Sequence, residues 1–465
     1  MSNMQCDEAQ PACTSTGRFC DGFDFVPEGA SAVQSPSTAL TYASSPFADP
    51  LEARSLQYFA ERTIGELETF FPDSLWSSHV LQLALSQEGI RHALMSLAAH
   101  HERFANPCAA GEPEFAFKQH SLAVRSLLAE DDPSTATETH LVSCLIFLCI
   151  EALQNEYRSA IRLFKHGVSM VKELRRRADA AEMMQSGANP ISDGIVSTIE
   201  AFINRFAVQA ALLAGDVDPS LVVGDHPSYD SVVADSASFA SMSEARQMIL
   251  DIAVDIIAQP PGSGSSEEMA LVHVTYNRWC EKFDKLVSER SNSLPAKGIA
   301  LLELHKRYLG IHLAAPDITI EDPPRWDEDT AAYEELMTFA ETAVGPDISV
   351  EGPTTTTATT NGMPKFHMDL GVLPILFSTV LRCRDAGVRR RAISLMKSKR
   401  LQEGIWPSTT TSQVAERIVS LEQSGDDSGP LQRVQSVAIA FGSEQKVVTI
   451  RYGLRNSVFE EVLGW

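Results

Sequence analysis

The sequence predicts an all-α protein built as a multi-helix domain of packed antiparallel helices. Three observations carry this: long segments with apolar residues at helical spacing, short Pro- or Gly-bearing loops between most of them, and Val- and Ile-rich stretches near the C-terminal end. The first segment starts at Leu51, where Leu56, Phe59, Ile64, Leu67, Phe70 and Phe71 alternate with Glu61, Arg62, Glu66 and Glu68 as a helix with one buried stripe. Similar segments follow at about 88–105, 114–130, 137–153, 156–177, 194–213, 243–258, 268–290 and 297–313. The most apolar stretch, Leu141 to Ile150, ends at Glu151. It falls short of the roughly 18 residues that suggest a membrane span, so it reads as a buried core helix and no membrane partner is expected. Longer breaks come at 259–268, 345–365 and 424–430, the second holding a Thr run that reads as a surface loop. Near the end, Val434 to Phe441 and Lys446 to Tyr452 flank Gly-Ser-Glu-Gln and predict one small β-hairpin. The expected organisation is a Cys-containing segment at 1–23, a Ser/Pro/Ala-rich linker at 24–50 and the helical domain at 51–465.

Composition narrows the function. With 465 residues and 44% apolar content, the chain can fill one large core or two ordinary ones. The net charge of −23 repels phosphate, which excludes a basic DNA-coating protein and requires any nucleic-acid contact to come from a local basic element. The opening MSNMQCDEAQ has neither a basic start nor an apolar run, and eight cysteines without a secretion signal imply reduced thiols in the cytosol or nucleus.

Catalytic arrangements are scarce. There is no phosphate loop, no Gly-x-Ser-x-Gly elbow and no His-Glu-x-x-His, and GSGSSE fails as a glycine fingerprint, so no enzyme is expected. His100-His101-Glu102 ends an apolar helix, but adjacent helical positions face different directions, which favours packing or capping over metal or acid-base work. Cys144 and Cys149 lie in the most apolar helix, where cysteine behaves as a small hydrophobe.

The N-terminal cysteines differ. Cys6, Cys13 and Cys20 are each separated by six residues in CDEAQPACTSTGRFCDGF, a turn-rich segment supplying three of the four ligands that zinc prefers. CDE-x-x-P-x-C and C-x-x-x-GR-x-CDGF resemble the second half of the fungal zinc binuclear cluster, the six-cysteine DNA-binding module of fungal transcription regulators. On that resemblance Cys6 matches the third cysteine and Cys20 the sixth, while Cys13 serves as either the fourth or the fifth. The first C-x2-C with its basic helix has no counterpart in this sequence. The metal expectation is therefore at most one weakly held zinc ion on Cys6, Cys13 and Cys20.

The resemblance extends from about residue 54 to 423. Arg54 to Glu102 is similar to the start of the fungal-specific transcription factor domain, His140 to Arg175 to its central helical pair, and Leu373 to Trp406 to its Cys-Arg-Asp, Arg-Arg-x-Ala and Glu-Gly-x-Trp blocks. The resemblance implies an α-helical regulatory domain with no chemistry of its own, and a nuclear transcription regulator of a metabolic or biosynthetic gene set. Residues 1–50 carry six acidic residues against Arg18 alone, so DNA binding is expected only if the missing basic half is supplied, or through a partner regulator. Two explanations stay open: the natural protein begins upstream, or the product has lost DNA reading. The alternative function is an accessory protein of a biosynthetic gene cluster that acts through protein or small-effector binding. Homo- or hetero-dimers and an effector site around 137–177, lined by Leu141, Leu145, Phe147, Leu148, Ile161, Leu163 and Phe164, belong to the same expectation, with plain core packing as the bland reading. A basic stretch, Arg382 to Arg400, holds Arg382, Arg384, Arg389, Arg390, Arg391, Lys397, Lys399 and Arg400 against Asp385 alone. It reads as an import signal or phosphate-contacting surface, or, more simply, as a helix face paired with acidic neighbours, and KELRRR at 172–177 invites the same comparison.

Overall fold

A computed structural model describes residues 49–107, 113–129, 133–183, 193–214, 238–258, 266–314, 329–345, 362–423, 434–441, 447–454 and 457–464. All of them belong to one compact unit, Asp49–Trp465. The expected all-α architecture is present. Helix α1 (Pro50–Tyr58) begins where the Asp49 carboxylate accepts from Leu51 N at 2.9 Å and Pro50 supplies the first helical position. It runs through a π turn, Phe59–Thr63, into α2 (Ile64–Leu67). The wider turn shifts the helical phase so that Phe59, Thr63, Ile64 and Leu67 all face inward.

A second π turn, Leu75–His79, leads into α3 (Val80–Ser86), followed by α4 (Glu88–Ala105), α5 (Pro113–Leu128), α6 (Pro133–Gln154) and α7 (Tyr157–Met183). Then come α8 (Asp193–Ala214), α9 (Met242–Ala258), α10 (Ser266–Arg290) and α11 (Ala296–Leu313). Helices α4 to α11 follow the segments that periodicity predicted, α7 running on past 177 to Met183, whereas α3 lies outside them. Helices α4, α5 and α6 pack together, α7 lies on α6, and α8 joins this layer to α9. Trp279 of α10 is fully buried, stacked on Phe283 at 4.8 Å, and its indole N–H donates to Ala245 O at 2.8 Å, which ties α10 to α9.

Helices α12 (Thr330–Val344), α13 (Leu373–Arg382), α14 (Ala386–Ser398) and α15 (Ser408–Gln423) complete the set, α12 against α11 and the last three against one another. Among them sits a small sheet outside the sequence expectation. Strand β1 (Gly362–His367) pairs in parallel with β2 (Lys399–Glu403), which pairs antiparallel with β3 (Trp406–Pro407). Strand β1 begins inside the stretch read as a loop, and β2, KRLQE, has no apolar alternation to announce it. The expected C-terminal hairpin is present as β4 (Val434–Phe441) and β5 (Val447–Leu454), with Ile439 opposite Ile450. A third strand, β6 (Ser457–Gly464), extends it to a meander by setting Phe459 opposite Tyr452.

Two 18-residue stretches, Thr137–Gln154 and Ile195–Leu212, are long and apolar enough to cross a membrane when neutral polar residues are included. In the fold they are core helices, 67% and 56% buried, and the second carries Arg205 at its centre.

Candidate functional site

The segment from His367 to Leu373, between β1 and α13, is buried throughout and is the hub of the fold. Asp369 lies 3.2 Å from Arg205 Nε of α8 and 2.9 Å from Arg246 Nη1 of α9. Asp73 faces the same guanidiniums at 3.7 and 4.0 Å. Two arginines and two aspartates thus balance within the core, and Arg246 also covers the Phe71 ring at 4.7 Å. Burial, together with Arg246 alongside, brings Arg205 down to about 10, and Asp369 and Asp73 keep it from falling further. Burial pushes the Asp369 carboxyl upward, but Arg246 and Arg205 outweigh it and hold the group below the ordinary carboxylate range.

Next to this cluster, Glu403 is 1% exposed and accepts from the first amides of α13, Val372 N at 3.1 Å and Leu373 N at 2.7 Å. These amides have no helical acceptor of their own, and a carboxylate at a helix N-terminus also meets a favourable dipole. His367 Nε2 stands 3.6 Å from the same carboxylate. Burial lowers this imidazole's proton affinity, but Glu403 and Asp369 together outweigh it, and the net shift is upward. Two glycines permit the arrangement. A Cβ on Gly371 would come within 2.4 Å of the Glu403 carboxyl carbon. Gly404 has φ +53°, and a Cβ there would lie 1.9 Å from Gln209 Oε1. Trp406 Nε1 donates to Gln209 O at 3.0 Å, and Gln209 Nε2 donates to Met368 O at 2.9 Å. The Glu-Gly-x-Trp block therefore clamps α8, α13 and the hub together.

One helical turn along from Arg205 and Arg246, α8, α9, α11 and α13 separate around a partly enclosed cavity of about 200 Å³. Val208, Leu212, Ile249, Ala253, Leu309 and Ile375 give it apolar walls. Four polar side chains reach it: His305, Tyr308, His312 and Arg382. Tyr308 Oη donates to Ser378 Oγ at 3.0 Å, and Arg382 Nη1 donates to the Tyr308 oxygen at 3.2 Å and to Ser378 Oγ. His312 Nδ1 meets Tyr308 O at 2.8 Å. Burial depresses His305 to about 4 and, with Arg382 adding to it, His312 to about 3, so both are neutral near pH 7. Arg382 is then the single charged side chain lining the cavity among the described residues.

The residues singled out from sequence occupy defined places. His101 is fully buried, with Nδ1 2.9 Å from Thr63 Oγ1 and Nε2 3.1 Å from Glu66 Oε2, while His100 packs edge-on against Phe117. Cys144 and Cys149 are core, and burial pushes both thiols up, Cys144 to about 11. Leu141, Leu145, Phe147, Leu148 and Phe164 are buried, and Ile161 and Leu163 pack on them. They fill the α6–α7 core, and the cavity opens elsewhere. In the basic stretch, Arg389 donates to Cys383 O at 2.7 Å and pairs with Glu422 at 2.7 Å, while Arg384 reaches Glu422 at 3.9 Å. Arg391 pairs with Glu341, Lys397 with Glu416, Lys399 donates to Val344 O and Gly345 O, and Arg400 covers Phe104. Arg390 is exposed. In KELRRR, Arg176 and Arg177 pair with Glu173, and Arg175 with Glu200. Both basic runs are thus partly paired with carboxylates within the fold. Among the described residues no group of three or more His, Cys, Asp or Glu is disposed to hold a metal ion. Cys6, Cys13 and Cys20 lie outside the described residues.

Sequence reasoning passed over Asp73, Arg205, Arg246 and Asp369. The signal that could have found them is an isolated charge on an otherwise apolar helical face, as in FINRFAVQAALL.

Residues 54–215 match the fungal specific transcription factor domain. The chain is similar to the aspercryptin biosynthesis cluster-specific transcription regulator atnN of Emericella nidulans, 24% identical over 99% of this chain and 94% of that protein. It is also similar to the transcription regulator lscL of Purpureocillium lilacinum, 25% identical over 45% of this chain and 57% of that protein. No solved structure matches. The matched domain is that of fungal transcription factors and both relatives are transcription regulators, and it is to these that the chain is similar.

Proposed function

We propose that the protein is a nuclear regulator of transcription for a fungal biosynthetic gene set, with residues 49–465 as its regulatory body. The observation that carries this is the match of residues 54–215 to the fungal specific transcription factor domain, supported by alignment along nearly all of a cluster-specific regulator. Deleting the gene in its host should alter transcripts of neighbouring genes without stalling any single conversion. Unchanged transcripts combined with accumulation of one pathway intermediate would point to an enzyme and overturn the reading.

DNA contact in this reading comes from a basic zinc-cluster half added to residues 1–465, or from a partner regulator. Two features support that: the net charge of −23, and the internal pairing of both basic runs. Residues 1–465 should give no sequence-specific footprint at physiological salt, where specific readers typically bind at roughly 10⁻⁸ M or tighter. Cys6, Cys13 and Cys20 should hold at most one zinc ion, weakly; two tightly held ions lost in the triple Cys→Ser variant would refute this. The same internal pairing favours a second reading, an accessory protein that acts only through other proteins. A basic cluster encoded in frame upstream would decide against it.

A further inference from the structure

The cavity between α8, α9, α11 and α13 has the chemistry of a ligand site rather than of a packing defect. Natural cores keep few voids larger than a water molecule, and this one, at about 200 Å³, exceeds the size of cavity that holds a benzene ring. Its walls are aliphatic, so ordered water would find few partners over most of its surface. Charge is poorly served there. His305 and His312 are neutral near pH 7, and Arg382 already donates to the Tyr308 and Ser378 oxygens. An anion would have to compete with those oxygens and shed its hydration against aliphatic walls, a cost that an uncharged molecule escapes. His305 is the informative residue, 5% exposed and lining the cavity. A neutral imidazole carries one N–H and one acceptor nitrogen. The Leu370 and Gly371 backbone beside the ring favours its protonated form, as carbonyls do, and so can serve only the N–H. Neither ring nitrogen completes a hydrogen bond of normal geometry among the described residues, which leaves the acceptor nitrogen without a donor. Buried polar atoms in native proteins nearly always have partners, so an acceptor without a donor, on a ring that lines an open space, marks where a hydroxyl belongs.

We propose that this cavity binds a small uncharged molecule of about one ring bearing a single hydroxyl, a phenol in its simplest form, with the hydroxyl donating to His305 and the ring among Ile249, Ala253 and Leu309. The apolar walls supply most of the affinity, and the hydrogen bond fixes orientation and makes the hydroxyl's loss of water tolerable. The volume excludes drug-sized or multi-ring ligands, which need roughly 300 Å³ or more. Whether occupancy then changes transcription rests on the regulatory reading above, but binding itself does not, so the two can fail separately.

The test uses the full chain with phenol, with toluene as the same shape lacking a donor and benzoate as a charged counterpart, by isothermal titration and thermal shift. Phenol should bind saturably with Kd below about 1 mM, and benzoate at least about ten-fold more weakly. His305→Leu takes away the acceptor and leaves an apolar wall. It should weaken phenol by about ten-fold or more while toluene stays within about three-fold, a split that simple loss of packing would not produce. Ala253→Phe, which fills the space from α9, should abolish binding of both while keeping the helical circular-dichroism spectrum. If either variant fails to fold, His305→Phe or Ile249→Phe replaces it, and competition between phenol and xenon for the wild-type cavity gives an independent readout. Absence of saturable phenol binding to folded wild-type protein, benzoate binding as tightly as phenol, phenol and toluene falling together in the His305 variant, or undiminished binding in the filled variant would each overturn the proposal.

Discussion

Replacing Glu403 should be costly, because several unsatisfied groups would be exposed at once. Glu403→Ala removes the acceptor for Val372 N and Leu373 N at the start of α13 and leaves His367, 3% exposed, without its carboxylate. A hydrogen bond to a charged group contributes about 1.5–3 kcal/mol, and breaking a buried ion pair about 3–5 kcal/mol. Because these are overlapping accounts of one site, a total of about 4 kcal/mol is expected for Ala. Glu403→Gln keeps the shape and one acceptor, so about 2 kcal/mol is expected. The control is Glu416→Ala, whose pair with Lys397 is half exposed on both sides and should be worth under about 0.5 kcal/mol. Urea unfolding followed by circular dichroism gives all three values. The pH dependence adds a sign. Glu403 raises the His367 proton affinity in the folded state, so this interaction stabilises fully below about 6.5, the unfolded imidazole value, and fades as pH climbs past the raised folded value. The gap between wild type and Glu403→Gln should therefore narrow from pH 6 to pH 9. A cost below about 1 kcal/mol for Glu403→Ala would refute the assignment of this carboxylate as the cap and clamp of α13.

Three further outcomes follow from the same geometry. His100, His305 and His312 are held neutral by burial at about 4, 4 and 3, so the unfolded chain binds protons that the folded one does not; stability should drop below pH 6.5, by up to about 1.4 kcal/mol per pH unit per histidine, and His305→Asn should lessen the slope seen by thermal melting between pH 6.5 and 5. Gly404→Ala forces a side chain into the left-handed region against Gln209 and should cost about 2–4 kcal/mol in urea unfolding; a loss under 0.5 kcal/mol would mean the loop relaxes freely. Arg389→Ala breaks its buried pair with Glu422 and should cost about 3 kcal/mol by chemical denaturation, whereas exposed Arg390→Ala should change stability by less than about 0.5 kcal/mol; equal effects would show that the arginines act as a common surface instead.

The helical course of the chain was legible from residue order alone, because apolar periodicity reports which face of a segment leaves water, and burial of that face is local to each helix. The segments at 88–105, 156–177 and 297–313 are the clearest cases, and Cys144 and Cys149 were readable as core for the same reason. Strands β1 and β2 escaped notice: their pairing joins Lys365 to Leu401 across intervening helices, and no pattern within GMPKFH or KRLQE announces a partner that far away. Charge is where the two levels diverge most. Along the sequence, Arg382 to Arg400 is a basic run open to several readings, and only the tertiary arrangement decided that Glu422, Glu341 and Glu416, distant in sequence, meet its side chains. Likewise Asp73, Arg205, Arg246 and Asp369 are unremarkable singly, and their meaning arises because folding brings opposite charges from four separate segments into one low-dielectric space, where each would be prohibitively costly alone. Sequence periodicity determines which residues each helix buries; which buried residues meet, and where a cavity is left between them, depends on how α8, α9, α11 and α13 cross, and that is set by packing among all of them together.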